Sequence, residues 1–446
     1  MFKVKTNLNI LSGLAIGTLT VLFAAYFVSA GPGLLTLVIC STLLLLFCLV
    51  LWRSISLFEH PQTTFINPDY MDTQKTMPVL IACIEYTAAL HLLLALGIRS
   101  RYPDMCIIQA FITDLMNDID VRGYQHLAEH WYVSGTEMPF FSAMVRAFAP
   151  TGNFFFAAMA INALCIVGAG LYLYRLVLLD YDSPTAKRAI KYMYIFPSAF
   201  FFAVPLAGGI CLFFSVLFVY LVRKRYYHLA ALAGFCAALS DVAGTLAIIV
   251  AIAEAANEWR ARHIDTKHIY PEPLARRAFN AILPSAGILS GLGCYLYVNY
   301  LSYGNIFYFL GRRHSYFARD TWYFWETAAY LSEQTKVWLA NTPEAAFVVS
   351  IPNLVCMFAI LLLLTAGTMP LKGQQPILRP SYMFYGLVYF LVVFGVLGDL
   401  NAPRTTLALF PIAIAAAALT RKKAADICLT LLYLAGFGAY FYVSIL

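Results

Sequence analysis

The segment from Asn117 to Pro150 holds most of the side chains in this chain that could do chemistry. It carries the carboxylates Asp118, Asp120 and Glu129, follows closely on Asp114, and is rich in histidine and aromatic residues. Ionised groups among lipid-soluble segments are costly and usually mark a working site. One carboxylate here could act as a general base on a hydroxyl group, or several together could hold a divalent cation.

The spacing of these residues predicts a helix with a carboxylate near its start. Asp120, Tyr124 and Ala128 follow one another at intervals of four, which places them on one helical face. The helix dipole keeps such a carboxylate ionised, and this suits a general base acting on an acceptor hydroxyl. Two other interpretations stay open. Asp118 and Asp120 could be N-cap residues, or Asp114, Asp118 and Asp120 could form a metal site.

The composition identifies the chain as a polytopic α-helical membrane protein. Of its 446 residues, 61% are hydrophobic and only 12% are charged. The mean hydropathy is +0.73, and apolar runs of membrane-spanning length recur from end to end. The net charge of +7 therefore reflects topology and gives no reason to expect a nucleic-acid partner. All cysteines except Cys106 lie in apolar runs, where small core residues are expected.

The apolar runs predict an all-α fold with about 11–13 transmembrane helices. The predicted helices are 7–30, 33–52, 78–98, 153–178, 189–206, 208–222, 228–240, 243–256, 278–300, 346–368, 382–399, 403–420 and 426–445. Residues 228–240 and 243–256 could instead form one long helix broken at Ser240–Gly244. Lysine and arginine residues are concentrated in every second connection between the predicted helices. Lys3 and Lys5 place the N-terminus in the cytoplasm. Two long segments, residues 99–152 and 301–345, then fall on the non-cytoplasmic face, where long loops are usually functional.

Three further features lie on or near that face. Met138 to Phe148 is too short to span and has mixed polarity, which predicts a helix at the membrane interface. The second long segment is dense in aromatic residues, which suits either a belt at headgroup level or a wall for a lipid tail or a sugar face. Arg404 needs an anionic partner, which could be Asp241 at a similar predicted depth or a phosphate group.

Several short motifs, in their order and spacing, resemble the PIG-V-type mannosyltransferases. That family belongs to the GT-C class of membrane glycosyltransferases, which use polyprenyl-phosphate sugars. Its first-loop motif, WD-x-x-x-[YF]-x-x-IA-x-x-GY, is matched at Ile119-Asp120, Tyr124, Leu127-Ala128 and Tyr132, and its second element at Pro139-Phe140-Phe141. Later likenesses are Phe196–Phe201 to an FPSAFF segment, Leu301–Glu326 to the second outer loop, and Arg404–Pro411 to an RY-x-x-x-x-FP element. The likeness covers roughly residues 80–420.

Four positions depart from the family's pattern. Ile119 replaces a tryptophan, Trp131 a glycine, Gly208 a glutamate and Asp241 an arginine. Because of these changes, a second interpretation stays open: the chain could be a catalytically degenerate relative that serves as a subunit of an envelope glycan assembly complex. A rival from another class is a transporter or flippase of lipid-linked sugars, which would carry polar residues near mid-membrane on broken helices.

The resemblance implies a GT-C-like fold and an inverting transfer on the non-cytoplasmic face. The donor would be a polyprenyl-phosphate hexose, mannose by default, and the acceptor a hydroxyl group of a glycolipid, glycan or protein. It implies Asp120 as the base, and we assign Tyr124 and Glu129 as substrate-binding residues beside it. From topology, and not from the family, we expect Arg404, with Arg312, Arg313 or Arg319, to hold the lipid phosphate.

The resemblance also bears on organisation and location. It begins well after the first two predicted helices, so residues 1–60 are expected to be an additional transmembrane hairpin and residues 61–446 the GT-C-like domain. The partners would be the lipid-linked donor, the acceptor and membrane lipids, with no metal and no cofactor. The membrane would be a bacterial inner membrane with a periplasmic active face, or the endoplasmic reticulum of a eukaryote.

Overall fold

The computed structural model describes residues 2–58, 76–130, 137–149, 153–264, 274–309, 323–369, 377–398 and 400–445. These residues are almost entirely helical, and no strand occurs among them. The first helices are α1 (Phe2–Ala30), α2 (Leu34–Phe58), α3 (Thr76–Arg101), α4 (Ile107–Asn117), α5 (Ile119–His130), α6 (Pro139–Phe148), α7 (Phe154–Val177), α8 (Ser183–Tyr194), α9 (Ala207–Arg223) and α10 (Tyr227–Ser240). The later ones are α11 (Val242–Leu246), α12 (Ile248–Ile264), α13 (Leu274–Tyr303), α14 (Phe324–Asn341), α15 (Pro343–Ala345), α16 (Ile351–Gly367), α17 (Pro380–Leu391), α18 (Ala402–Thr405), α19 (Pro411–Leu419) and α20 (Lys423–Ile445).

Eight helical segments of the described chain are long and apolar enough to cross a membrane. They are Ser12–Ala30, Leu34–Phe58, Thr76–Arg101, Phe154–Val177, Val242–Trp259, Ala278–Tyr303, Pro343–Gly367 and Lys423–Ile445. The pair Ala402–Ala408 and Pro411–Leu419 passes the same test when taken together, and three shorter apolar helices are Ala207–Arg223, Tyr227–Ser240 and Pro380–Val396. The expected polytopic all-α membrane architecture is confirmed, and the protein is a multi-pass membrane protein.

The described residues divide into two compact units, each assembled from separated parts of the chain. The first unit takes those within Met1–Thr63, Ala253–Tyr270 and Arg319–Thr406. The second takes those within Thr64–Ile252, Pro271–Ala318 and Leu407–Leu446. The expected N-terminal hairpin, α1 and α2, thus clusters with the helices of the 319–406 region.

Polar contacts tie the helices of the first unit together around α2. This helix packs against α14, α16 and α17. The hydroxyls of Thr36 and Ser332 lie 3.0 Å apart in the interior. At the other end of the unit, Arg379 forms a two-pronged ion pair with Glu254, with Nε–Oε1 and Nη2–Oε2 distances of 3.0 Å each. Because only 7% of the Arg379 side chain is exposed, this pair is largely shielded from water.

Glycines allow the helices of the second unit to pack closely. A Cβ atom on Gly287 would lie 2.1 Å from the carbonyl oxygen of Ala231, and one on Gly291 would lie 2.6 Å from that of Phe235. These two residues stand four apart on α13 and face α10, the small-xxx-small pattern that brings membrane helices together. The contact makes α10 and α13 a closely packed pair within this unit.

The chain turns sharply at Asp241, between α10 and α11. A Cβ on Gly244 would lie 2.1 Å from the carbonyl oxygen of Ala237, although residues seven apart in a straight helix are separated by about 10 Å. Asp241 caps α11, because its Oδ1 accepts a hydrogen bond of 3.0 Å from the N–H of Ala243. The break therefore lies inside the predicted Ser240–Gly244 segment.

The first long segment predicted to be non-cytoplasmic contains three helices of its own. They are α4, α5 and α6, and they follow one another between the candidate spans α3 and α7. The expected short helix from Met138 to Phe148 is observed as α6, with Pro139 in its first turn, where proline is well tolerated. This three-helix segment carries the first candidate site.

Candidate functional site

Asp118 and Asp120 have different roles at the start of α5. The Oδ1 atom of Asp118 accepts hydrogen bonds from the backbone N–H groups of Asp120, at 2.9 Å, and of Val121, at 3.1 Å. These are the donors that a helix start leaves without partners, so Asp118 is an N-cap residue, as one sequence interpretation predicted. Asp120 is half-buried in the first turn of α5.

Asp114 has yet another set of partners, on the preceding helix. Its Oδ1 lies 3.2 Å from Nη1 of Arg101 and accepts a hydrogen bond of 3.1 Å from the Tyr102 hydroxyl. That hydrogen bond raises the pKa of the Tyr102 phenol above its ordinary value, because the charged acceptor disfavours the phenolate. The three aspartates do not converge, and no group of three potential ligands for a metal occurs among the described residues.

Helix α6 holds α5 in place through polar and aromatic contacts. The Ser142 hydroxyl donates to the carbonyl oxygen of Tyr124 over 2.9 Å. The Tyr124 ring meets Phe141 edge to face, with centroids 5.4 Å apart. Arg146 Nη1 donates to the carbonyl oxygens of Ala128, at 3.0 Å, and Glu129, at 3.1 Å, and so caps the last turn of α5. The face of α5 that carries Asp120, Tyr124 and Ala128 is thus fixed against α6.

A buried apolar cluster then attaches this pair of helices to the spans of the second unit. Its fully buried members are Ala128, Phe141, Val145, Ala158, Ile161, Ala207 and Ile210, which come from α5, α6, α7 and α9. Interiors packed in this way hold side chains to a narrow range of positions. Asp120 therefore sits on a rigid support, which is what a catalytic group requires.

Glu137 belongs to the same surface as Asp120 and was missed by the sequence reasoning. A Cβ placed on Gly123 would lie 2.9 Å from its Oε1 atom. Gly123 is three residues after Asp120 and therefore on the same side of α5. A second carboxylate thus lies beside the helical face of the expected base. A glutamate directly before a Met-Pro helix start was the available signal, but the spacing from Asp120 in the chain does not reveal the contact.

Glu129, assigned as a substrate-binding residue, faces elsewhere. It is nine residues after Asp120, and about 100° of rotation per residue places the two on opposite sides of α5. Its carboxylate accepts a hydrogen bond of 2.6 Å from Gln125 Nε2 and lies 3.9 Å from His130 Nδ1. The structure therefore does not bring Glu129 together with Asp120. Tyr124 does share the Asp120 side, and its ring packs on Phe141.

A small apolar cavity of about 20 Å³, enough for about one water molecule, lies against α5. Its lining residues are Met116, Val121, Tyr124, Gln125, Phe141, Val145, Phe154, Phe155, Ala158 and Pro205. Most of these side chains are hydrocarbon, and Asp120 is not among them.

Arg404, in the first unit, stands on a short helix whose backbone is tightly held. The buried side chain of Asn353 donates to the carbonyl oxygen of Leu400 over 2.7 Å and accepts from the N–H of Ala402 over 2.8 Å. The Tyr389 hydroxyl donates to the carbonyl oxygen of Thr405. These contacts fix α18 and leave Arg404 half-buried.

Some expected site residues fall outside the described part of the chain. They are Arg312, Arg313, Arg319 and Tyr132. Asp241 belongs to the second unit and Arg404 to the first, and their pairing stays a prediction. The assignment of Arg404 to a phosphate group stays a prediction as well.

Comparison with known proteins adds little. No protein-family model and no curated protein sequence matches the chain significantly. Among solved structures, the chain is similar to the oligosaccharyltransferase of Archaeoglobus fulgidus, crystallised with a tethered acceptor peptide that contains the NVT sequon. The identity is 12% and the TM-score 0.41, over 84% of this chain and 55% of that protein. The chain thus spans little more than half the length of that enzyme, and a likeness of this degree carries no argument about activity.

Proposed function

We propose that the protein is a membrane glycosyltransferase of the GT-C type. It would transfer a hexose, mannose by default, from a polyprenyl-phosphate sugar to an acceptor hydroxyl on the non-cytoplasmic face, with inversion. The proposal rests on one observation above all. Asp120 occupies the first turn of a capped helix, on a rigid support, in a segment between two membrane spans that is predicted to lie on the non-cytoplasmic face.

Asp120 would act as the general base of the transfer. Its carboxylate takes the proton of the acceptor hydroxyl as that oxygen attacks the anomeric carbon of the donor. The bond between that carbon and the phosphate oxygen breaks, and the electron pair leaves with the polyprenyl phosphate. Because phosphate is a good leaving group, the step requires no general acid. Arg404, with Arg312 and Arg313, would stabilise the departing charge.

The sequence motifs support this substrate class. Their order and spacing, from Asp120 to Arg404–Pro411, resemble those of the PIG-V-type family, which uses polyprenyl-phosphate sugars. Glu137 lies beside the side of α5 that carries Asp120.

A second candidate function is transport of lipid-linked sugars across the membrane. Helix breaks at Asp241 and between Ala408 and Pro411 favour it, because discontinuous helices are common in transporters. A catalytically degenerate subunit is a further alternative, given the glycine at position 208 and the aspartate at position 241.

A transfer assay separates these functions. Membranes that contain the protein are given polyprenyl-phosphate mannose labelled in the sugar, and label that resists mild acid is counted, since the donor linkage is acid-labile. Transferase activity gives acid-stable product, and membranes without the protein give the background. In parallel, the purified protein in liposomes is tested for movement of the intact donor between leaflets. Movement without acid-stable product, under conditions where acceptor lipids are present, would replace the transferase with the flippase.

A further inference from the structure

The membrane span α3 carries a carboxylate on its outward face. Glu85 lies nine residues after the first residue of this span and sixteen before the last. Because a helix rises about 1.5 Å per residue, its Cα atom is about 5 Å from the midpoint of the span. The hydrocarbon core of a bilayer is about 30 Å thick, so a centrally placed α3 holds Glu85 about 10 Å inside the core. Its short side chain does not reach the headgroups from there.

Glu85 points away from the side of α3 that packs against the rest of its unit. The buried side of this helix carries Val79, Cys83, Thr87, Leu90, Leu94, Gly97 and Ile98. Glu85 is exposed, and it forms no hydrogen bond and no ion pair with any described residue. Ionisable residues inside membrane spans almost always face other helices or a water-filled cavity. The outward position of Glu85 therefore indicates that a further helix covers this side of α3 in the membrane.

The residues around Glu85 suit contact with a helix. Ala88 and Ala89 are exposed one turn further along the same side of α3. Small residues let two membrane helices approach closely, and a polar side chain beside them can bond across the contact. Exposed apolar side chains border this region on both sides, and they are Ile81, Ile84, Leu92 and Leu93. We call the exposed side of α3 formed by these residues, Glu85, Ala88 and Ala89 the Glu85 face.

A second copy of this chain does not supply a matching cation. More than six residues from either end, the described spans contain a single basic residue, which is His91. Two copies inserted in the same direction place equivalent residues at equal depth, so His91 of the other copy is displaced from Glu85 by about 9 Å along the helix axis. Its Nδ1 atom also lies 2.8 Å from the carbonyl oxygen of Thr87 and is engaged there. The cation must therefore come from a different protein.

We propose that the Glu85 face binds a transmembrane helix of another protein, and that this helix carries a lysine or arginine at the depth of Glu85. The ion pair gives the carboxylate a partner within the hydrocarbon, where ionised side chains are otherwise costly. Ala88 and Ala89 allow the close approach that the pair requires. The partner is thus a membrane subunit, and this proposal depends neither on Asp120 nor on the transfer reaction.

The first test uses the purified protein in liposomes with synthetic transmembrane peptides. Three peptides of leucine and alanine differ at one central position, which is lysine, leucine or glutamate, and energy transfer between dyes on protein and peptide measures association. We expect the lysine peptide to bind about fivefold to thirtyfold more tightly than the leucine peptide, the range of a polar contact between membrane helices. Glu85→Leu should bind all three peptides alike, and Glu85→Lys should prefer the glutamate peptide.

The second test identifies the partner in the membranes of the source organism. A photoreactive amino acid replaces Ala88 in one protein and, as a control, Leu289 in another, since Leu289 is 55% exposed in the middle of the span Ala278–Tyr303. We expect the probe at position 88 to crosslink to a span that contains lysine or arginine, and the control probe to give no such product. Glu85→Lys should abolish the crosslink, and replacing the basic residue of the captured span by glutamate should restore it.

Three results would overturn the proposal. One is equal binding of the lysine and leucine peptides by the wild-type protein. Another is a lower unfolding midpoint for purified Glu85→Leu than for the wild type, which would show that the carboxylate has a stabilising partner within the chain. The third is a crosslink from position 88 only to lipid, to a second copy of this chain, or to a span that charge exchange does not restore.

Discussion

The carboxylate of Asp118 accepts a hydrogen bond from the backbone N–H of Asp120, with 2.9 Å between Oδ1 and N. Asp118 and Asp120 thus have different roles. Asp118 caps the start of α5, and Asp120 belongs to its first turn. The cap fixes the first turn of the helix and with it the direction of the Asp120 side chain. The proposed chemistry at this site depends on these different roles of Asp118 and Asp120.

The division predicts opposite results for two substitutions at position 118. Asp118→Asn keeps a side-chain oxygen that can cap the helix, so thermal stability in detergent and transfer activity should stay close to those of the wild type. Asp118→Ala loses the cap, which costs about 1 kcal/mol, and activity should fall with stability. Loss of activity in a fully stable Asp118→Asn protein would contradict the capping role and indicate a chemical one.

The glycines of α13 provide a second prediction. Gly287→Ala places a methyl group 2.1 Å from the carbonyl oxygen of Ala231, and the overpacking should cost about 1–3 kcal/mol. Gly293→Ala on the same helix meets nothing within 4 Å and should be neutral or slightly stabilising. Thermal unfolding of both purified variants measures the difference, and equal midpoints would show that α10 and α13 are less closely packed than described.

The ion pair of Arg379 and Glu254 provides a third prediction. Their side chains are 7% and 12% exposed, so Arg379→Met leaves the shielded Glu254 carboxylate without its cationic partner, although the Ser381 hydroxyl still donates to it, at a cost of about 3 kcal/mol. Removing both charges, in Arg379→Met with Glu254→Met, should recover a large part of that loss. Unfolding midpoints of the two single variants and the double variant test this coupling, and additive losses would mean that the charges act independently.

A fourth prediction concerns the support of Arg404. Asn353→Ala removes a donor to the carbonyl oxygen of Leu400 and an acceptor for the N–H of Ala402, which should cost about 1–3 kcal/mol because both backbone groups lose their partner. If Arg404 holds the lipid phosphate, the KM for the donor should rise. Asn353→Asp keeps the acceptor for Ala402 but turns a buried carboxylate oxygen towards the carbonyl oxygens of Val349 and Leu400, so it should destabilise the protein at least as much. A destabilised Asn353→Ala protein with an unchanged KM for the donor would contradict the binding of the lipid phosphate by Arg404.

Much of the architecture could be predicted from the sequence because it follows from local composition. The apolar runs predict the spans, and the short mixed segment from Met138 to Phe148 predicts α6. The capping of α5 by Asp118 also follows from residue type and position. The break near Asp241 could be predicted, but the sharp turn depends on the close contact of Gly244 with Ala237, which no local pattern encodes.

The candidate site was predictable only in part, because its members come from different helices. Periodicity alone placed Tyr124 on the Asp120 side, and the same arithmetic puts Glu129 on the far side of α5. Glu137 reaches Gly123 because Met138 is buried against α10 and α13. Such a contact is set by tertiary packing, so the spacing of the residues along the chain does not predict it.

The most direct test of the account is the transfer activity of Asp120→Asn beside that of Asp114→Asn. Both variants lose one carboxylate from the same segment, but Asp114 pairs with the partly exposed Arg101, a contact worth little. With both proteins folded in detergent, we predict that Asp120→Asn forms no acid-stable product from polyprenyl-phosphate mannose. Asp114→Asn should remain near wild-type activity. Retained transfer by a well-folded Asp120→Asn protein would contradict the assignment of Asp120 as the base.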